Sequence, residues 1–187
     1  MSDSNHTGAA IYWYMPQPLG LERPAIEAIA ATVARQLGYW PGEALDNILL
    51  GLGGKLDPKP AAGTPTLEVR PSGFVIALPA GESDARMAVA QNLGHYILHV
   101  LYQRQRRGTD VTHLRVRQPW QGPNEKPARR EAADFATALL MPEAAFTKEW
   151  ARQRGQLPAV AGHFRVTTVQ AQARAVQLSL LTQAEAA

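Results

Sequence analysis

The 187-residue chain contains no cysteine. That excludes a disulfide framework and any thiolate zinc centre. No apolar run is long enough to cross a bilayer, and the chain opens on no charged-then-apolar leader, so a cytoplasmic protein is expected. Charge of one sign is scarce as well: 19 basic against 16 acidic residues leave a formal +3, too small an excess to indicate nucleic acid by itself. No long internal repeat occurs. The glycine cluster Gly51, Gly53 and Gly54 beside Lys55 lacks phosphate-loop spacing and reads as a turn. What remains is an ordinary globular composition, sized for one domain with a real core.

Hydrophobic periodicity and turn residues divide the chain. Met1 to Ala9 is polar. Tyr12, Trp13 and Tyr14 follow as an edge strand or packed arm, with a partner-binding hook as the alternative. Pro24 to Leu37 reads as a helix with Ile26, Ile29, Val33 and Leu37 as its stripe, closed by Gly38. A shorter helix is expected over Pro41 to Leu52. Thr66 to Arg70 and Phe74 to Leu78 read as a hairpin turning at Pro71-Ser72-Gly73. Ala85 to Leu101 carries Leu93, Ile97 and Leu101 at helical spacing, with Ser83 and Asp84 as a polar start. Only Gly94 argues against this helix, at roughly 1 kcal/mol relative to alanine. A long basic connection, Tyr102 to Pro127, is expected to hold a short strand within Val111 to Val116. Helices are then expected over Pro127 to Leu140, Glu143 to Arg154, Pro158 to His163 and Thr168 to Leu181, the last capped by Thr167.

Within the Ala85 helix, Gln91 and His95 stand one turn apart, the frame in which H-E-x-x-H presents two zinc-binding imidazoles. Three stretches, L-G-H-Y-I-L-H from Leu93, E-A-A-D-F-A-T-A-L-L-M-P from Glu131 and V-T-T-V-Q-A-Q-A-R-A-V-Q-L-S-L from Val166, together resemble the ImmA/IrrE family of zinc metallo-endopeptidases. The resemblance implies an α+β, mainly helical zincin-type fold, with a small sheet before the active-site helix and a C-terminal helical pair. With the N-terminal stretch 1–20 read as an arm, it implies the zincin domain over 21–155 and a helical segment over 156–187 packed on it. It also implies that positions 91, 95 and 131 are the zinc ligands and that position 92 is the general base.

Two of those positions depart from the pattern. Gln91 offers a neutral amide, a poor zinc ligand beside imidazole and carboxylate. Asn92 has no accessible pKa near neutrality, so general-base work, typically worth about 10²- to 10⁴-fold, is lost. Zinc is therefore expected to be weakly held or absent, with His95 and Glu131 the residual ligands. His99 is a possible substitute, one turn past His95; a His95, His99, Glu131 set would leave Tyr96 at the base position. Asp134, one turn past Glu131, could assist a metal, whereas His113 and His163 are assigned no role. Without metal, His95 and Glu131 are expected to hydrogen-bond or ion-pair across the old pocket.

The resemblance further implies a regulator of a helix-turn-helix repressor in a stress or phage-type response. With its chemistry altered, this chain is expected to bind such a protein partner without cutting it. One alternative is an active zinc endopeptidase with an unorthodox ligand set. Another is a nucleic-acid-binding module using Arg104, Arg106 and Arg107 of the basic loop, Trp120 as a stacking surface, and Arg165, Gln170, Gln172 and Arg174 of the last helical pair. A solvated face is the plainer reading of that basic loop. Phe74, Val75 and Ile76 are expected to form an edge strand able to hold an extended peptide.

Overall fold

The computed structural model describes residues 13–78, 85–108, 112–116 and 122–182. Tyr12, Ser83, Asp84, Arg117, Trp120 and the side chain of Arg107 lie outside the described residues. Two helices, α1 (Arg23–Gln36) and α2 (Asp46–Gly51), lead into β1 (Gly54–Asp57), β2 (Leu67–Arg70) and β3 (Gly73–Ala77). Helix α3 (Ala85–Tyr96) continues through a π-helical segment, Ile97–Tyr102, into α4 (Gln103–Arg107). After β4 (Leu114–Val116) come α5 (Glu125–Leu140), α6 (Glu143–Arg152), α7 (Leu157–Phe164) and α8 (Thr168–Gln177). This is the expected mainly helical α+β fold with a small sheet ahead of α3.

The strands form one sheet in the order β1-β3-β2-β4. β2 and β3 make the antiparallel hairpin turning at Pro71 to Gly73, β1 pairs parallel with β3, and β4 runs antiparallel to β2. Alternation along the strands buries Leu67, Val69, Phe74, Ile76, Leu114 and Val116 on one face. Phe74 stacks on Tyr96 at 4.0 Å between ring centroids, which ties the sheet to α3. The opposite face carries Lys55, Val75, Glu68 and Arg115 as cross-strand neighbours. There Arg115 bonds Glu68 at 2.9 Å and lies 3.4 Å from the Trp13 ring centroid. The edge role expected for Phe74, Val75 and Ile76 is thus corrected: β3 is paired on both sides, because β1 forms from a stretch too rich in glycine and proline to read as a firm strand.

Helix α5 packs against both α1 and α3. Gly94 explains itself here. A Cβ at that position would lie 2.8 Å from the Ala132 carbonyl oxygen and 3.0 Å from its Cα. The glycine that weakens the helix in sequence lets α3 and α5 approach backbone to backbone. On α1 the buried residues are Ile26 and Ala30. The expected neighbours Ile29 and Val33 instead line an open apolar groove of about 540 Å³ shared with Ile97 and Leu101.

Two further boundaries differ from expectation. Helix α2 starts at Asp46, not Pro41, because Gly42 takes φ +88° and its Cα faces the His163 carbonyl too closely for a side chain. The helix carrying His95 runs on to Arg107 and stops at Gly108 with φ +60°, so Arg104 and Arg106 stand on a helix and not in a loop. Nothing between Leu101 and Gly108 breaks a helix. Among the described residues no helix is long and apolar enough to cross a membrane.

Helices α7 and α8 bury Val160, Phe164, Ala171 and Ala175 in the same core. Thr167 caps α8 in a reciprocal box with Gln170. Arg174, 1 % exposed, donates to the Met141 carbonyl at 3.0 Å, to Glu27 at 2.7 Å and to Gln177 at 2.5 Å. Two of the residues considered for reading bases, Gln170 and Arg174, are therefore engaged within the fold.

Candidate functional site

Three of the candidate residues, His95, His99 and Glu131, lie where α3 and the π-helical segment after it meet α5. His95 is 5 % exposed, His99 1 % and Glu131 5 %, so the side chains expected across a cleft are closed off from solvent. The close approach at Gly94 and the wider π turn around His99 bring them together. His95 Nδ1 lies 3.0 Å from His99 Nδ1, and His99 Nε2 lies 2.9 Å from Glu131 Oε2. Burial alone would push the Glu131 carboxyl up. The His99 hydrogen bond and the Leu19 and Leu21 amides outweigh burial and hold it below the ordinary carboxylate range. An ionised Glu131 makes His99 Nε2 the donor. The contact between the two Nδ1 atoms then needs one ring to donate and the other to accept.

The rest of the Glu131 carboxylate is taken by the segment before α1. Leu19 N–H donates to Oε2 at 2.9 Å; Gly20 and Leu21 donate to Oε1 at 2.7 and 3.2 Å. Gly20 sits at φ +70°, the left-handed conformation that turns successive amides inward to form a small anion-binding nest. The same segment is held by Gln103 Nε2 on the Gln17 carbonyl and by Asn124 Nδ2 on Gln17 Oε1, both at 2.6 Å. Further upstream Tyr14 bridges β4: its N–H donates to His113 O at 2.9 Å, and its carbonyl accepts from Arg115 N–H at 3.0 Å. Sequence reasoning placed an arm here but missed its amides as partners of Glu131. The signal was P-Q-P-L-G-L, in which prolines hold the chain extended ahead of a glycine free to take positive φ.

The other candidates separate from this cluster. Asn92 donates to the Ala88 carbonyl of its own helix at 2.9 Å, and Gln91 is half-buried. Asp134 pairs with Arg23 at 3.3 Å and Arg130 at 3.8 Å. His113 meets Thr112 Oγ1 and the Trp13 ring, and His163 lies 3.7 Å from Glu149.

This arrangement does not fit a zinc ligand set. His99 faces His95 through Nδ1 and Glu131 through Nε2, on opposite sides of one ring, so the three donors do not converge on a point. The carboxylate a metal would need already accepts three backbone amides and an imidazole. Among the described residues no group of three or more His, Asp or Glu is disposed to hold a metal ion.

The cluster has a pH signature. Burial, and secondarily the neighbouring His99, hold the His95 imidazole down at about 3, against an ordinary 6.5. The folded chain thus refuses a proton that the unfolded chain accepts below 6.5. Stability is at its plateau above that pH and falls as pH drops toward 3, by up to ~1.4 kcal/mol per pH unit from this group. Glu131, whose folded value is also depressed, acts in the same direction below its ordinary 4.5. Thermal midpoints are expected to hold above pH 6.5 and to fall steadily from there to pH 4; a flat profile to pH 4.5 would contradict the buried neutral His95.

A small sheet laid on a helix that carries an altered H-E-x-x-H frame, faced by a second helix with the third ligand position, defines a zincin-type metallopeptidase domain. The family model described as Peptidase_M78, IrrE N-terminal-like domain, matches residues 66–176, more than half of the chain, and the chain belongs to that family. Among solved structures, a Mycobacterium tuberculosis transcriptional regulator shares the fold, with a TM-score of 0.56 and 17 % identity over 82 % of this chain. The match covers 46 % of that protein, so this chain spans less than half its length. No curated protein matches this chain.

Proposed function

We propose that this chain is a catalytically degenerate member of its family that regulates by binding a protein segment, with a helix-turn-helix repressor as the expected partner. The observation that carries this reading is the state of Glu131. The carboxylate at the third-ligand position accepts from His99 and three backbone amides, which supports a site that needs no metal to hold it together. Asn92, bonded back to its own helix, supplies no general base. Zinc is held weakly or not at all on this reading. The family membership and a regulator as fold neighbour agree with a regulatory role.

The test is zinc per chain after purification without chelator or metal-affinity resin, repeated after zinc addition and dialysis. Far less than one zinc per folded chain is expected in both measurements. Near one zinc per chain, lost in Glu131→Gln, would overturn the reading and favour an active endopeptidase with an unorthodox ligand set.

A further inference from the structure

The segment from Trp13 to Glu22 binds the rest of the molecule as a peptide would. It adds to the outer edge of β4 through two backbone hydrogen bonds at Tyr14. It then places consecutive amides on a buried carboxylate and a carbonyl under Gln103. Six of these hydrogen bonds use the arm's main chain, which any extended segment with a glycine in the same place can reproduce; Trp13 on Arg115 and Gln17 with Asn124 add side-chain contacts. The segment itself holds on lightly. It forms no helix or strand beyond the Tyr14 bridge. Only Pro16 of its residues is buried, while Leu19 and Leu21 pack partly on the core. A stretch with few buried apolar groups and mostly backbone ties belongs to the low-stability end of a fold.

We infer that residues 13–22 are an internal occupant of a peptide seat built from the β4 edge, Gln103 and Glu131. The partner that fits is an extended, glycine-containing segment presenting successive N–H groups, and it enters by displacing the arm. The inference rests on the protein-binding reading above and names its surface. The arm stands in for the partner, so the seat is closed until a competing segment arrives.

Gly20→Val isolates the arm. The position has φ +70°, which a β-branched residue resists, and a Cβ there meets nothing within 4 Å, so the substitution acts first through the arm's backbone. The probe is a fluorescent, end-blocked peptide of residues 13–22, titrated against the full chain and followed by anisotropy. The Gly20→Val chain is expected to bind it saturably and at least about tenfold more tightly than the unsubstituted chain, one decade being ~1.4 kcal/mol. Adding Glu131→Gln to Gly20→Val is expected to reverse most of that gain. A folded Gly20→Val chain that binds the peptide no better than the unsubstituted one would overturn the inference.

Should Gly20→Val not fold, hydrogen exchange on the unsubstituted chain decides. The Tyr14, Leu19, Gly20 and Leu21 amides are expected to exchange at least about tenfold faster than those of Leu93 and Phe135. Equal rates would mean that the arm leaves only with global unfolding, and the seat could not be exchanged. Zinc content does not enter either experiment, so this inference and the metal-free reading can fail separately.

Discussion

Glu131→Ala is expected to be among the most destabilising single substitutions in the chain, at ~2–4 kcal/mol, the cost of leaving buried donors without their charged acceptor. The side chain is the common acceptor for His99 Nε2 and the amides of Leu19, Gly20 and Leu21. Truncation leaves all four donors without it. An unmet buried donor costs ~1–3 kcal/mol, but the arm is partly exposed, and its amides regain water when it lifts away. The loss therefore concentrates on the His99 end, which is fully enclosed. Glu131→Gln keeps one acceptor oxygen and the shape, and it should cost less than half as much. Urea denaturation of the two variants checks this ordering. If Ala and Gln cost the same, the charge rather than the acceptor geometry holds the cluster. If neither costs more than ~1 kcal/mol, the arm and His99 do not depend on Glu131 as their geometry says.

The same substitution separates two meanings of an inherited motif. In a zinc enzyme this carboxylate serves the metal, and its loss is felt first in catalysis. On the metal-free reading proposed above, the charge is stabilised by His99 and by the chain's own backbone amides, and its loss should be felt first in stability. The motif E-A-A-D-F-A lies on α5, where Ala132 and Phe135 are buried and its first residue accepts from His99 and the arm.

What was legible in the sequence follows the physics of each segment. The helices α1, α3, α5, α6, α7 and α8 and the β2–β3 hairpin could be read because their periodicity, caps and turn residues are local. Thr167 with Gln170 is a case in which the cap was visible and its geometry agrees. The edge of the sheet was not legible. Which strand is outermost depends on β1, a stretch with a weak local signal that forms by pairing with β3. The extension of the His95 helix into Gln103–Arg107 was hidden by charge: a run of arginines reads as a solvated loop, yet arginine is a good helix former and Gly108 supplies the stop. The site was half legible. The residues at 91, 92, 95, 99 and 131 could be picked out from spacing and resemblance, but the bond expected between His95 and Glu131 is made by His99 instead, with His95 against the far nitrogen of the His99 ring. The amides of Leu19, Gly20 and Leu21 could not be picked out. Backbone donors carry no sequence mark, and more than 100 positions separate them from the carboxylate they meet.

Gly94 gives a prediction on which helix propensity and packing disagree in sign. By propensity alone, Gly94→Ala should stabilise α3 by ~1 kcal/mol. The added Cβ, however, falls 2.8 Å from the Ala132 carbonyl oxygen and 3.0 Å from its Cα. Both are backbone atoms of a helix buried between α1 and α3, so neither can rotate aside. Overpacking of this kind costs ~1–3 kcal/mol, so Gly94→Ala is expected to be net destabilising by up to ~2 kcal/mol. Gly94→Val adds two methyl groups at the same contact and forgoes the propensity gain, and should lose ~3 kcal/mol or more. In a chain of this size each kcal/mol is worth ~2–4 °C of thermal midpoint. The relief open to the molecule is for α3 and α5 to part by a few tenths of an ångström. That lengthens the contacts between His99 on one side and Glu131 on the other, now at 2.9 Å, because they span the same interface one turn further along. Gly94 variants should therefore also lose protection at the Leu19 and Gly20 amides, which depend on where Glu131 is held. A Gly94→Ala chain that melts higher than the unsubstituted protein would mean that the two helices do not meet as closely as Ala132 and Gly94 place them.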